Sequence, residues 1–253
     1  MKKALFALAV AALSAWAGEG PGGDPFQSAG GAVPGNRIDD LVVAELTARG
    51  IEPALPSSDA VFVRRVYLDV IGTLPQVNEV REFLEDTNPD KRAALIDRLL
   101  EHEEFADYWS LKWCDVLRVK AEFPINLWPN AVQAYAKWLH DAIQANMPYD
   151  AFARALLTSS GSNFRVPPVN FYRAMQGRDP STIADAAALT FMGVRLDGWP
   201  EARRAELAVF FSRVAYKPTA EWKEESVLLD PSAVTPLDAV LPDGQPVHVE
   251  AGD

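Results

Sequence analysis

Paired start and stop signals constrain this chain more than any other feature. Asn88-Pro89 and Asp179-Pro180 each set a capping side chain directly before a proline, the arrangement that opens a helix. Gly50, Gly72 and Gly193 follow apolar runs of helical spacing and close them. Between such signals the periodicity predicts helices over residues 37–49, 59–71, 77–86, 89–102, 103–121 and 130–146, then after Pro148, over 180–192 and after Pro200. Trp109, Trp113 and Val116/Leu117 fall on one stripe, as do Val132, Tyr135, Leu139 and Ile143. Past residue 220 the pattern shortens to β-leaning runs, with Asp243-Gly244 as a hairpin turn. The expected fold is mainly α: a multi-helix, bundle-like domain with a small C-terminal β hairpin. Its expected organisation is a helical domain over residues 37–220 and a β-containing tail over 221–253.

The N-terminus predicts the compartment. Lys2 and Lys3 precede the apolar run "ALFALAVAALSAWA", which closes on Ala15-Trp16-Ala17. A basic start, a short apolar centre and a small-x-small end make a secretory signal peptide over residues 1–17, too short for a membrane span. Residues 18–36 are rich in Gly and Pro and read as a flexible linker. Their Gly18-x-Gly20-x-x-Gly23 matches the dinucleotide fingerprint only formally, since no strand precedes it and Pro21 interrupts it. The expected location is therefore periplasmic or extracellular, without membrane insertion after cleavage. Loss of Lys2 and Lys3 takes the net charge from −11 to −13. Such a surface repels nucleic acid and anionic lipid. Cys114 is the one cysteine, so no internal disulfide forms and packing must supply stability.

"FVRRVYLDVIGTLP", residues 62–75, places Arg64, Arg65 and Asp69 among apolar neighbours. At about 100° per residue the three charges occupy a narrow sector. The helix is expected to be covered on most sides, with its charges locked in an ion network or, alternatively, lining a cleft with Asp115.

"RRVYLDVIGTLP", "VREFLEDTNPDKRAALIDRLL", "FADYWSLKWCDVLRV", "MPYDAFARALL" and "FMGVRL" follow one another in that order. Together they resemble a family found in large secreted proteins of planctomycetes, cytochrome-associated and number 1549 in the domain-of-unknown-function series. The resemblance covers roughly residues 37–230. It implies a helical fold and supplies no catalytic residues. Many such relatives carry Cys-x-x-Cys-His after the "GVRL"-like stretch, the attachment signature of c-type haem. Here Asp197, Gly198 and Trp199 stand at that place, with no Cys or His between Val194 and Phe211. Covalent haem is excluded there, and no cofactor is expected. Relatives also continue into a second conserved domain, so this chain is expected to be a short paralogue or a piece of a longer protein.

His102, His140 and His248 lack ligand-spaced partners, so no metal site is expected. No nucleophile elbow and no phosphate-binding loop occurs. Cys114 reads as a small buried hydrophobe. Two loops mix aromatics with Arg and Asn: one holds Phe123 and Trp128, the other Phe164, Arg165, Asn170, Phe171, Tyr172 and Arg173. They form either a stacking platform for sugar or partner, or a cover over the helices. The leading expectation is an exported, non-catalytic binding or structural module of the cell envelope, with a protein or polysaccharide partner. The alternatives are an enzyme on extracellular polysaccharide and a redox-associated module that has lost its haem motif.

Overall fold

A computed structural model describes residues 25–28, 35–122, 127–230, 232 and 237–249. The signal-peptide and most of the linker readings, and Phe123, lie outside these residues. Ten α-helices are present among the described residues, so the fold is mainly α. The chain divides into two compact units: one comprises residues up to Asp69 with Thr73–Ile96, the other Val70–Gly72 with the chain from Asp97 onward.

The first unit is built from helices α1 (Arg37–Ala48), α2 (Asp59–Val70) and α3 (Val77–Glu85) and the start of α4 (Lys91–Leu100). Asn36 caps α1 by accepting the amides of Ile38 and Asp39. No residue of α1 is buried. On α2 only Val63, Val66 and Tyr67 are buried, a single stripe at three- and four-residue spacing. The expectation that α2 is covered on most sides is therefore corrected. Arg64, Arg65 and Asp69 are exposed and make no ion pair among the described residues. The ion network forms instead at the helix start. Asp59 accepts from Lys91 at 2.8 Å and Arg92 at 2.7 Å. Lys91 also reaches the Phe83 and Asp86 carbonyls, and the Arg92 guanidinium lies 4.7 Å from the Phe62 ring centroid. The α2 charge that matters is thus the one in its first turn, because α4 presents two cations to that turn. These two cations, Lys91 first, hold the Asp59 carboxyl below its ordinary value.

The second unit holds the larger core. Helices α5 (Glu103–Val116), α6 (Pro129–Gln144) and α7 (Tyr149–Thr158) pack around Leu117, Tyr135, Leu139, Phe152 and Leu156, all at most 5 % exposed. Gly72 belongs here. Its φ of 76° is left-handed, and a Cβ there would stand 2.3 Å from the Tyr108 ring. Only glycine suits both conditions. α5 ends at Val116, earlier than its expected limit of residue 121, because the chain turns left-handed at Arg118.

Beyond strand β1 (Gly161–Ser162) come the short α8 (Asn170–Arg173) and α9 (Pro180–Ala187). Asp179 caps α9, with its carboxylate accepting the Thr182 amide, the Thr182 hydroxyl and the Ser181 hydroxyl. These bonds, led by the Thr182 hydroxyl, hold its pKa down at about 2. A carboxyl depressed in the folded state stabilises above its unfolded value and loses that contribution as pH falls through its folded value. Asp179→Ala is therefore expected to remove the part of the stability-versus-pH slope between about pH 4 and 2, with little change in slope above pH 5. Thermal unfolding at stepped pH checks this; an unaltered acid limb would refute it.

α9 runs into a π-helical turn, Ala188–Met192, closed by left-handed Gly193. The helix expected after Pro200 is α10, which covers Glu201–Val209, and β2 begins at Val214. β2 (Val214–Pro218) pairs antiparallel with β3 (Glu225–Leu229), which pairs with β1, giving the order β1-β3-β2. Val227, 2 % exposed, brings the middle of that sheet into the helical core. The C-terminal β4 (Leu237–Val240) and β5 (Pro246–Val249) form the expected hairpin across Gly244 at φ 91°.

Candidate functional site

The second aromatic loop does not make a platform from Phe171, Tyr172 and Arg173. Phe171 is 2 % and Tyr172 4 % exposed, and both belong to the core. The Tyr172 hydroxyl donates to the Leu157 carbonyl at 2.6 Å, and burial pushes it well above the ordinary phenol value. Arg173 is turned inward and paired with Glu225 at 2.8 Å. Burial lowers the Arg173 guanidinium, with Glu225 opposing that effect. These three residues are thus packing and ion-pair elements, a correction forced by apolar area that must leave water. Trp128 stays partly exposed at 37 %, at φ 68°, immediately before α6. Asp115 is exposed on α5 and faces no cation at ion-pair distance among the described residues. Asp69 falls in the first unit and Asp115 in the second.

The surface that does gather chemistry lies along α5, α6 and the first turns of α7. Phe105, Trp109 and Trp113 recur every four residues, so they line up on one face of α5. With Ile143, Asn146, Met147, Tyr149 and Phe152 they enclose a cleft of about 190 Å³. The rings support one another: Trp113 stands 5.0 Å from Phe152 and 6.4 Å from Tyr149 between centroids. Two of their polar handles are occupied. Trp109 Nε1 donates to the Val70 carbonyl at 3.0 Å, and the Tyr149 hydroxyl donates to the Phe191 carbonyl at 3.2 Å. Phe191 lies in the π turn, a geometry that shifts carbonyls out of the regular ladder. The ring faces are therefore fixed in orientation and left for apolar contact. Tyr149 is 53 % exposed and forms the open wall.

A recess of about 550 Å³ with a mixed lining that includes Leu100 and Ala106 adjoins the cleft and shares Phe105, Ile143 and Asn146 with it. Glu101, His102, Glu103 and Gln144 line its other walls. His102 Nδ1 accepts the Glu104 amide at 3.3 Å and so caps α5. Asn146 sits at φ 47° after α6, a left-handed position that asparagine tolerates well. The combined groove offers oriented aromatic faces at one end and amide and carboxylate groups at the other. Among the described residues no group of three or more His, Cys, Asp or Glu side chains is arranged to hold a metal ion. No helix among them is long and apolar enough to cross a membrane.

Sequence reasoning read Trp109 and Trp113 as core and did not select Phe105, Asn146 or Tyr149. The signal was present in the stripe itself, since three aromatics in succession leave ring area that an aliphatic core would not. A family model described as PSCyt2, protein of unknown function (DUF1549), matches residues 37–197, more than half of the chain. No curated protein and no solved structure matches it.

Proposed function

The chain belongs to the DUF1549 family of proteins of unknown function, and from that premise we propose that it is an exported, non-catalytic binding module whose aromatic groove takes a neutral polysaccharide of the cell envelope. The observation that carries this reading is the set of rings at Phe105, Trp109, Trp113 and Tyr149 beside the recess that holds Glu101, Gln144 and Asn146. A sugar ring has an apolar face that stacks on such aromatics and a polar edge that meets amides and carboxylates. The carboxylates of the recess and the acidic net charge favour a neutral chain over an acidic one. Export rests on the signal-peptide pattern of residues 1–17.

Calorimetric and fluorescence titration of the chain from residue 18 with neutral oligosaccharides, and with uronate-containing ones as comparison, tests the reading. Saturable binding of a neutral glycan is expected. Tyr149→Ala removes an exposed wall of the cleft, so it should weaken that binding at least about tenfold, a loss of about 1.4 kcal/mol, with the thermal midpoint changed by only a few degrees. Absence of any neutral-glycan binding, or equal binding by the variant, would reject the proposal.

A further inference from the structure

We infer that Arg118 is the anchoring cation of a second ligand site, one that takes a monocarboxylate with a compact apolar body. The inference is independent of the saccharide groove, with which this site shares no residue. Its first support is the backbone. Arg118 occupies φ 57° just past α5, where the Val119 amide donates to the Cys114 carbonyl at 2.8 Å and the Arg118 amide to Asp115 at 3.2 Å. That is the Schellman stop, whose left-handed residue is ordinarily glycine. At other helix ends Gly50 and Gly193 take left-handed φ, and Asn146 does so after α6, while Trp128 and Lys223 adopt positive φ away from a helix C-terminus. At Arg118 a long cationic side chain is kept against local preference, the kind of violation that marks functional positions.

The second support is what surrounds that side chain. Arg118 lines a recess of about 320 Å³, at the lower end of the range for small-molecule sites. Thr182, Asp185 and Ala186 come from one face of α9, and Leu189 continues that face into the π turn. Met175 and Ala186 are nearly buried and give an apolar floor, which Leu189, 38 % exposed, extends toward the mouth. Gln176 supplies an amide at the side. Arg118 is half-buried, yet it makes no ion pair and no side-chain hydrogen bond among the described residues. Asp185, the acid of the same recess, is engaged instead by Arg204 at 3.3 Å. The carboxylate in the wall is thus charge-matched from outside, and the guanidinium has no ion-pair partner among the described residues. A guanidinium in that state recognises a carboxylate through paired N–H donors. The acidic charge of the whole molecule opposes polyanions, which selects a ligand with a single negative charge.

Titration with benzoate and butyrate, against benzamide and butyramide, tests the site by calorimetry and NMR. The carboxylates are expected to bind saturably, at least about tenfold more tightly than the amides, and more weakly as salt rises. Arg118→Gly restores the residue the turn prefers, so it should raise the thermal midpoint by about 2–4 °C while abolishing carboxylate binding. Arg165→Ala removes an exposed arginine outside the recess and should leave binding intact. Equal affinity for acid and amide, unchanged binding in Arg118→Gly, loss of binding in Arg165→Ala, or no carboxylate binding below about 10 mM, which corresponds to about 2.7 kcal/mol, would each overturn the inference.

Discussion

Glu225→Ala lowers stability by about 3–5 kcal/mol, which for a domain of this size moves the thermal midpoint down by roughly 10 °C or more. The Glu225 side chain is 12 % exposed and holds two arginines. Arg178 grips both carboxylate oxygens, at 3.0 and 2.9 Å, while its guanidinium lies 4.4 Å from the Tyr216 ring centroid. Arg173, 15 % exposed, takes one oxygen at 2.8 Å, and its Nε is buried with no partner among the described residues. Removing the carboxylate strands the Arg173 cation where water cannot reach it fully. That desolvation, more than the lost attraction, sets the size of the effect. Arg178→Ala is the contrasting case: its side chain is half exposed, so it should cost no more than about 1 kcal/mol. Joint replacement of Arg173 by Met and Glu225 by Leu removes both buried charges and should recover much of the loss. Urea unfolding of the three variants decides the matter. A Glu225→Ala cost under about 1 kcal/mol would show that the pair contributes little.

The partner of Arg173 lies fifty-two positions away and beyond residue 197, where the family match ends. That separation explains what was and was not legible in the sequence. Helix stops and starts are local. Gly50, Gly193 and Asp179-Pro180 acted where the sequence placed them, because caps satisfy backbone groups within a few residues. Asn88 acted locally too, accepting the Asp90 amide, although α4 begins only at Lys91. Charge burial is not local. Arg64 and Arg65 on an apolar helix looked internal, whereas Glu225 in a short strand gave no sign of it. Asp59 and Glu225 are matched because other elements bring cations to them, and no periodicity within one segment records that. The aromatic loop failed for the same reason. Asn163 and Asn170 are both 0 % exposed, and the Asn170 amide bridges the Asn163 and Pro167 carbonyls, turning Phe171 and Tyr172 into the core. The aromatics of α5 are partly buried, with Trp113 packed against the main core, whereas the exposed rings include Trp128, Tyr149 and Trp222.

Phe152→Ala should link fold and groove in one measurement. The ring is 5 % exposed, stacks on Trp138 at 5.3 Å with planes 19° apart, and meets Trp113 at 5.0 Å. Truncation removes a buried aromatic that touches both the α6 core and the cleft wall, so a cost of about 3–5 kcal/mol is expected. Trp113 then loses its support and is free to tilt into the vacated space. Saccharide binding should fall further than in Tyr149→Ala, where the floor remains intact. Phe152→Leu keeps most of the volume and should cost well under half as much, yet it still removes the flat face that fixes Trp113. Comparing the two variants under conditions where both are folded separates loss of stability from loss of ring orientation. If the leucine variant binds as the parent does while the alanine variant does not, the floor acts by filling space. If both lose binding in step, the orientation of Trp113 is the property that the groove requires.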